Sequence, residues 1–207
     1  LTVGTPPSSL SYTGPLLLPL NAGMNSVSPS ITTGSGLVTY SATGLPAGVH
    51  IDPATGVLYG TPTALQSASN ATITASSVFG STQTTVSIAV GNAPSNLLYA
   101  SANNSFRTGT AITNQSPSIT AGSGSTTYAI SPGLPTGLSF NTSTGVISGT
   151  TSVVSNAVYT ISASNSYGST STFMQISTGV APVFSYATGN VYQAGSAINT
   201  LSPTVSA

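Results

Sequence analysis

The chain has 207 residues, and its formal charges are one Arg, one Asp and one His, where an ordinary domain is about a quarter charged. A single basic residue cannot neutralise a run of phosphates, which excludes nucleic-acid binding, and one acidic residue builds neither a calcium cage nor a carboxylate pair. With no Cys and no Lys there is no disulfide, no thiolate, no Cys-based zinc site and no Lys–Asn crosslink, and no cofactor is implied.

In chain order, Leu1-Thr2-Val3-Gly4 matches Ile88-Ala89-Val90-Gly91 and Ile176-Ser177-Thr178-Gly179. Residues 1–4 therefore read as the end of a preceding module's last strand. Short apolar or alternating runs, divided by Gly, Pro and Asn, predict strands over 9–12, 16–20, 27–32, 37–43, 48–52, 56–60, 70–77 and 82–90. Equivalents fall 87 to 89 residues later, and no amphipathic helical stretch of useful length occurs. The longest apolar run, Leu16-Leu17-Leu18, is broken by Pro19, far short of the roughly 20 residues of a spanning helix. Ala71, Ile73 and Ala75 alternate with Thr72, Thr74 and Ser76, as Tyr159, Ile161 and Ala163 do with Thr160, Ser162 and Ser164. Such strands bury one face and wet the other. Ser77-Val78-Phe79-Gly80 and Asn165-Ser166-Tyr167-Gly168 then make hairpin turns, with Gly supplying a positive φ.

The stretch GLPAGVHIDPATGVLYGTPT, residues 44–63, returns as GLPTGLSFNTSTGVISGTTS at 133–152. Its structural residues are Leu45, Pro46, Gly48, Asp52, Gly56 and Gly60, matched by Leu134, Pro135, Gly137, Asn141, Gly145 and Gly149. Pro46 and Pro135 are expected at the second position of a tight turn, Gly48 and Gly137 at the positive φ after it. Asp52 and Asn141 are expected to cap the next turn through a side-chain oxygen, and Gly56 and Gly145 to close it. Tyr12, Tyr99 and Tyr186 recur in step, which points to packing between or within modules.

A unit of about 88 residues has the length of a β-sandwich and not of a solenoid repeat. The expected division is residues 1–4, module 1 over 5–92, module 2 over 93–180, and the first strands of an incomplete third module over 181–207. The recurring pattern, with a strand ending in [ST]-[NS]-x-[YF]-G-S, resembles the bacterial putative-Ig modules (He_PIG-like), related to cadherin-like dystroglycan-type repeats. The resemblance covers both whole modules. It implies an all-β chain of tandem Ig-like β-sandwiches, found on secreted and surface proteins as stalks or adhesin arms. Acidic residues that would bind calcium between modules are missing here.

His50 and Asp52 share a strand face, but module 2 has Ser139 and Asn141 at those places and no nucleophile-elbow motif accompanies the pair. They read as an exposed imidazole and a turn cap. Arg107 reads as a solvated strand-edge cation. Asn70, Asn103, Asn114 and Asn141 stand in Asn-x-Ser/Thr sequons, the acceptors for N-linked glycosylation.

The expected function is a non-catalytic structural repeat protein of an extracellular filament, sheath or adhesin stalk, secreted or at the cell surface. Its partners would be other copies of itself or further modules, met head to tail through strand pairing. A net charge near zero removes the repulsion that keeps copies apart. The alternative is an adhesin module that binds a glycan or host protein through variable loops. Such a site would sit where the copies differ most, at 13–20 against 100–108 and 64–69 against 153–157. Composition also sets the outcome of trypsin digestion: at most one cut, after Arg107, giving two fragments by mass spectrometry. Fragmentation into many pieces would contradict the composition.

Overall fold

The computed structural model describes residues 3–206, so Leu1 and Thr2 of the expected preceding-module strand lie outside the described residues. Val3 to Pro7 run without strand structure. The described residues then form eighteen β-strands. The first eight are β1 (Ser8–Ser11), β2 (Leu16–Pro19), β3 (Ser30–Thr32), β4 (Thr39–Thr43), β5 (Val49–Ile51), β6 (Leu58–Gly60), β7 (Gln66–Ser77) and β8 (Gly80–Gly91). The same order returns as β9 (Ser95–Tyr99), β10 (Asn103–Arg107), β11 (Pro117–Thr120), β12 (Thr127–Ser131), β13 (Leu138–Phe140), β14 (Ile147–Gly149), β15 (Ser155–Asn165) and β16 (Gly168–Gly179). Two short strands follow, β17 (Val183–Ser185) and β18 (Thr204–Ser206).

Each set of eight makes a four-stranded sheet, β2-β8-β7-β4 and β10-β16-β15-β12, accompanied by the pairs β1-β3 with β5-β6 and β9-β11 with β13-β14. Isolated bridges, Val27 to Leu58 and Gln115 to Ile147, tie β6 and β14 to the segments that lead into β3 and β11. β1–β3, β4–β7, β5–β6, β7–β8, β13–β14 and β17–β18 pair antiparallel, whereas β2 runs parallel to β8 and β10 parallel to β16. The chain forms two compact units, one of residues up to Leu98 with Ser118–Tyr128 and Ser162–Ser171, the other of Tyr99–Pro117, Ala129–Ile161 and from Thr172 onward.

Period-2 alternation decides which side chains go inside. On β7, Ala71, Ile73 and Ala75 are fully buried and meet Val86, Ile88 and Val90 of β8 in one core with Leu10, Leu18, Val49 and Leu58. Removing a Leu or Ile side chain from water contributes about 1.5–3 kcal/mol. The second set buries Ile147, Tyr159, Ile161, Met174 and Ile176 in the same positions. Where the apolar signal stops, prediction and structure part. β7 begins at Gln66, four residues before the predicted start, because the exposed run Ser67 to Asn70 carries no apolar alternation, while Gln66, Ser69 and Asn70 still pair with β8 around a register shift. β1 and β9 contain a residue with positive φ, Ser9 at 58° and Asn96 at 56°, immediately before the buried Leu10 and Leu97. β17 and β18 pair straight through without that kink.

Leu58 is fully buried while its neighbour Tyr59 is 45% exposed. In urea denaturation, Leu58→Ala is expected to cost roughly 2–5 kcal/mol and Tyr59→Ala less than about 1 kcal/mol. Equal losses would contradict the assignment of faces.

Candidate functional site

The recurring corner is built from glycine placement. Val49 N–H donates to Pro46 O at 3.0 Å and Leu138 N–H to Pro135 O at 3.0 Å. Each proline therefore occupies the first position of its turn and not the second, as the sequence led us to expect. The glycine two residues on, Gly48 at φ 84° or Gly137 at φ 95°, must hold the third position, the one that needs positive φ. Gly48 and Gly60 lie back to back: a Cβ on Gly60 would strike Gly48 O, and one on Gly48 would strike Thr61 O. Gly137, Gly149 and Thr150 repeat this contact. Leu45 and Leu134 are half-buried beside the corner.

Beyond it, Asp52 Oδ1 accepts the backbone N–H groups of Ala54 at 2.8 Å and Thr55 at 3.0 Å, and Gly56 N–H returns to Asp52 O at 2.8 Å. Asn141 Oδ1 accepts from the backbone N–H groups of Ser143 at 2.9 Å and Thr144 at 3.1 Å, and Gly145 N–H donates to Asn141 O at 2.7 Å. The buried glycine that ends this turn then receives a tyrosine. Tyr12 Oη donates to Gly56 O and Tyr99 Oη to Gly145 O, both at 2.5 Å. Burial, with a smaller contribution from Tyr40, raises the Tyr12 pKa to about 12, so the hydroxyl stays a donor across the physiological range. The two amide donors on Asp52 hold its carboxyl below the usual range.

His50 stacks at a tilt on Tyr59 across the β5–β6 pair, ring centroids 5.7 Å apart. Among the described residues no hydrogen bond joins His50 to Asp52, whose oxygen is engaged by its own turn. Arg107 is exposed at the end of β10, paired in register with Gly179. Asn70, Asn103, Asn114 and Asn141 are all exposed. No group of three potential metal ligands occurs among the described residues, and none of their helices is long and apolar enough to cross a membrane. The divergent segments each line a surface depression, Ser105-Phe106-Arg107 in one and Leu65-Gln66-Ser67 in the other.

A second recurring contact escaped the sequence reading. Gly4 lies under the ring of Phe79, at the tip of the β7–β8 hairpin, and Gly91 under the ring of Tyr167, at the tip of the β15–β16 hairpin; a Cβ would come within 2.6 Å and 2.5 Å of the rings. Backbone clasps accompany them. Ser35 N–H donates to Thr5 O at 2.9 Å and Thr5 N–H to Ser35 Oγ at 3.2 Å. Ser123 N–H donates to Asn92 O at 2.9 Å, and Asn92 N–H to Ser123 Oγ at 2.9 Å. Asn165 Nδ2 adds donations to Asn92 O and Ser123 O, both at 2.9 Å. The signal was the joint recurrence of glycine at 4, 91 and 179 with an aromatic at 79 and 167.

Two sheets packed face to face, made twice in the same strand order and each pinned by a tyrosine on a turn carbonyl, define a tandem Ig-like β-sandwich protein. The chain belongs to the family described as Putative Ig domain, whose profile matches residues 6–91 and 94–179. No curated protein sequence matches it. Among solved structures it is similar to the I-band fragment I67–I69 of titin, at 17% identity over 86% of this chain and 67% of that chain, TM-score 0.52. It is also similar to extracellular domains 3–5 of Drosophila OTK, at 18% identity over 83% of this chain and 62% of that one, TM-score 0.55. Sidekick-1 immunoglobulin domains 1–4 align at 10% identity over 85% of this chain and 49% of theirs, TM-score 0.54. At such identities the likeness concerns the fold alone, and the chain spans less than two thirds of the OTK and Sidekick-1 chains.

The Asp52 cap makes the first corner acid-labile. Its folded pKa lies below the unfolded value of about 3.9. The stabilisation is therefore complete above that value and is lost as pH falls through the depressed folded pKa. In an acid titration followed by NMR, the Ala54 and Thr55 amides should shift in this window, while Ser143 and Thr144, capped by Asn141, stay fixed. Asp52→Asn should abolish the shift, and an unchanged titration in that variant would refute the assignment.

Proposed function

We propose a mechanical, non-catalytic role: Ig-like repeats laid end to end as the shaft of an extracellular filament, sheath or adhesin stalk. The observation that carries this reading is the parallel pairing near the two ends of each repeat. β2 lies beside β8 in register from Leu16 with Ile88 to Pro19 with Gly91, and β10 beside β16 from Asn103 with Gln175 to Arg107 with Gly179. Tension applied to the ends of a repeat pulls two parallel neighbours in opposite senses along their common axis. The inter-strand hydrogen bonds are then loaded together in shear instead of opening one at a time, as they would in a hairpin pulled from its ends.

The rest of the chemistry supports the same reading. One Arg and no Lys leave trypsin-like proteases a single cleavage point, which suits a protein exposed outside a cell. The near absence of charge favours contact with other copies or further modules, joined head to tail through strand edges. Catalysis finds little to work with, since His50 and Asp52 are engaged separately.

Single-molecule pulling tests the role. Each repeat should unfold in one abrupt event releasing roughly 250–300 Å, the reach of its extended residues at about 3.3–3.6 Å each. Phe106→Pro, which breaks β10, should lower the force of one event and leave the other unchanged. Smooth extension without discrete events would sink the proposal.

A further inference from the structure

Alternation turns Met174, Ile176 and Thr178 of β16 and Tyr159 and Ile161 of β15 into the core. Phe173, Gln175 and Ser177 of β16 and Asn156 and Val158 of β15 therefore stand on the outward face of that sheet. β10 runs parallel beside β16, with Asn103 opposite Gln175, Ser105 opposite Ser177 and Arg107 opposite Gly179, and continues the same face. On it, Asn156 Oδ1 accepts from Gln175 Nε2 at 2.8 Å and from Ser177 Oγ at 2.9 Å. That knot fixes two amides and, among the described residues, leaves Asn156 Nδ2, Gln175 Oε1 and the side-chain amide of Asn103 without a protein partner. Two residues nearer the hairpin tip, Phe173 is 65% and Val158 58% exposed. The first repeat lacks this arrangement. At the equivalent places it has Thr85 for Phe173, Asn70 for Val158, Ser87 for Gln175 and Ala68 for Asn156. Leu17 and Pro19 stand there opposite Ala89 and Gly91, where β10 brings Ser105 and Arg107.

We propose that the outward face of β10, β16 and β15 binds a neutral polysaccharide, one pyranose ring stacking on Phe173 and the hydroxyls of the next lying along Asn103, Asn156 and Gln175 toward Arg107. A sugar ring offers an apolar C–H face and a rim of hydroxyls that both donate and accept. An exposed aromatic ring beside amides with open donor and acceptor positions matches both features. Because the Asn156 and Gln175 amides are already held by each other, they lose little freedom when a ligand arrives. The face has no acidic residue and a single cation at its edge, which complements an uncharged ligand and gives a polyanion no track of charges. A protein partner fits less well. Stable protein interfaces cover about 800 Å² per partner around an apolar core, whereas two apolar side chains stand here among amides and hydroxyls. An added peptide strand needs a free sheet edge, and β16 is flanked by β10 and β15. From Phe173 to Gly179, the partner of Arg107, β16 covers roughly 20 Å at about 3.3 Å per residue, room for several rings in a row. One border of the face is the segment 100–108, where the two copies differ most. The site adds a grip to one repeat and does not rest on how the repeats carry load.

An NMR titration of the isotope-labelled chain with cellohexaose, xylohexaose, mannohexaose and maltohexaose tests the proposal. At least one of these sugars should shift the side-chain amide signals of Asn103, Asn156 and Gln175 while the backbone amides of Thr72 and Thr85 in the first sheet stay in place. Phe173→Ala should weaken that binding about tenfold, and Phe173→Tyr, which keeps the ring, should retain it. Both variants should unfold in urea at the parent midpoint, since the side chain they alter is exposed. Absence of a shift with all four sugars overturns the inference, as does a Phe173→Ala variant that binds as tightly as the parent. Self-association that Phe173→Ala abolishes, with no response to any sugar, assigns the face to a second copy and overturns it equally. Single-molecule pulling does not read this face, so the mechanical role and the sugar site fail separately.

Discussion

Apolar contact between the inner faces of each sandwich is the interaction on which the remaining structure depends. One Arg and one Asp cannot form an ionic network, and no cysteine is present to tie strands together. What remains is burial of Ile73, Ile88 and Leu58 in one set of strands and of Ile147, Ile161 and Ile176 in the other. Polar groups are arranged so as not to oppose it: every buried side-chain nitrogen and oxygen among the described residues has a hydrogen-bond partner. Where the first set has Pro62 and Val90, the second has the buried Thr151 and Thr178. Thr178 Oγ1 donates to Val153 O at 2.7 Å and Val153 N–H to Thr151 Oγ1 at 3.1 Å. Without those bonds each buried hydroxyl would cost about 1–3 kcal/mol.

The corner turns this burial into a fixed geometry. Gly56 has no Cβ because the Tyr40 ring and Pro29 fill the space where one would stand. That tight fit leaves the Gly56 carbonyl where the Tyr12 hydroxyl can reach it across 44 residues of sequence. The preceding turn tolerates Asp or Asn, since what it requires is one side-chain oxygen placed to receive two backbone N–H groups. Charge at that position is incidental to the shape, and the second corner dispenses with it.

Much of this could be read from the residues. Alternation located β4, β7 and β8 and their later counterparts, and the spacing of Asp52 to Gly56 and Asn141 to Gly145 announced an Asx-type turn. Pro46 was misplaced by one turn position because proline suits the second position in general; only the positive φ of Gly48, held there by the closeness of Gly60, decides the register. The early part of β7 was invisible because backbone pairing needs no apolar side chain. The rings over Gly4 and Gly91 were hidden for a different reason. A glycine at a strand end and an aromatic in a hairpin loop each have an ordinary local explanation, and their contact spans some 75 residues.

Neutral strand edges are normally a hazard, since charged side chains are a common means of keeping sheets from pairing with one another. Here the edges of the first four-stranded sheet are β2, of four residues and ending in Pro19, and β4, of five. Shortness and proline therefore curb sideways pairing along this sheet, as lysine does elsewhere, which is a different contact from the head-to-tail pairing proposed between repeats. A protein protected in this way keeps its cohesion in surface contacts and backbone bonds that salt hardly screens, because screening acts on charges and the chain has almost none. Asp52 is the only carboxylate side chain through which acidity can act on the fold. For a load-bearing element outside a cell, where ionic strength and pH are set by the surroundings, that insensitivity is the property the proposed role requires.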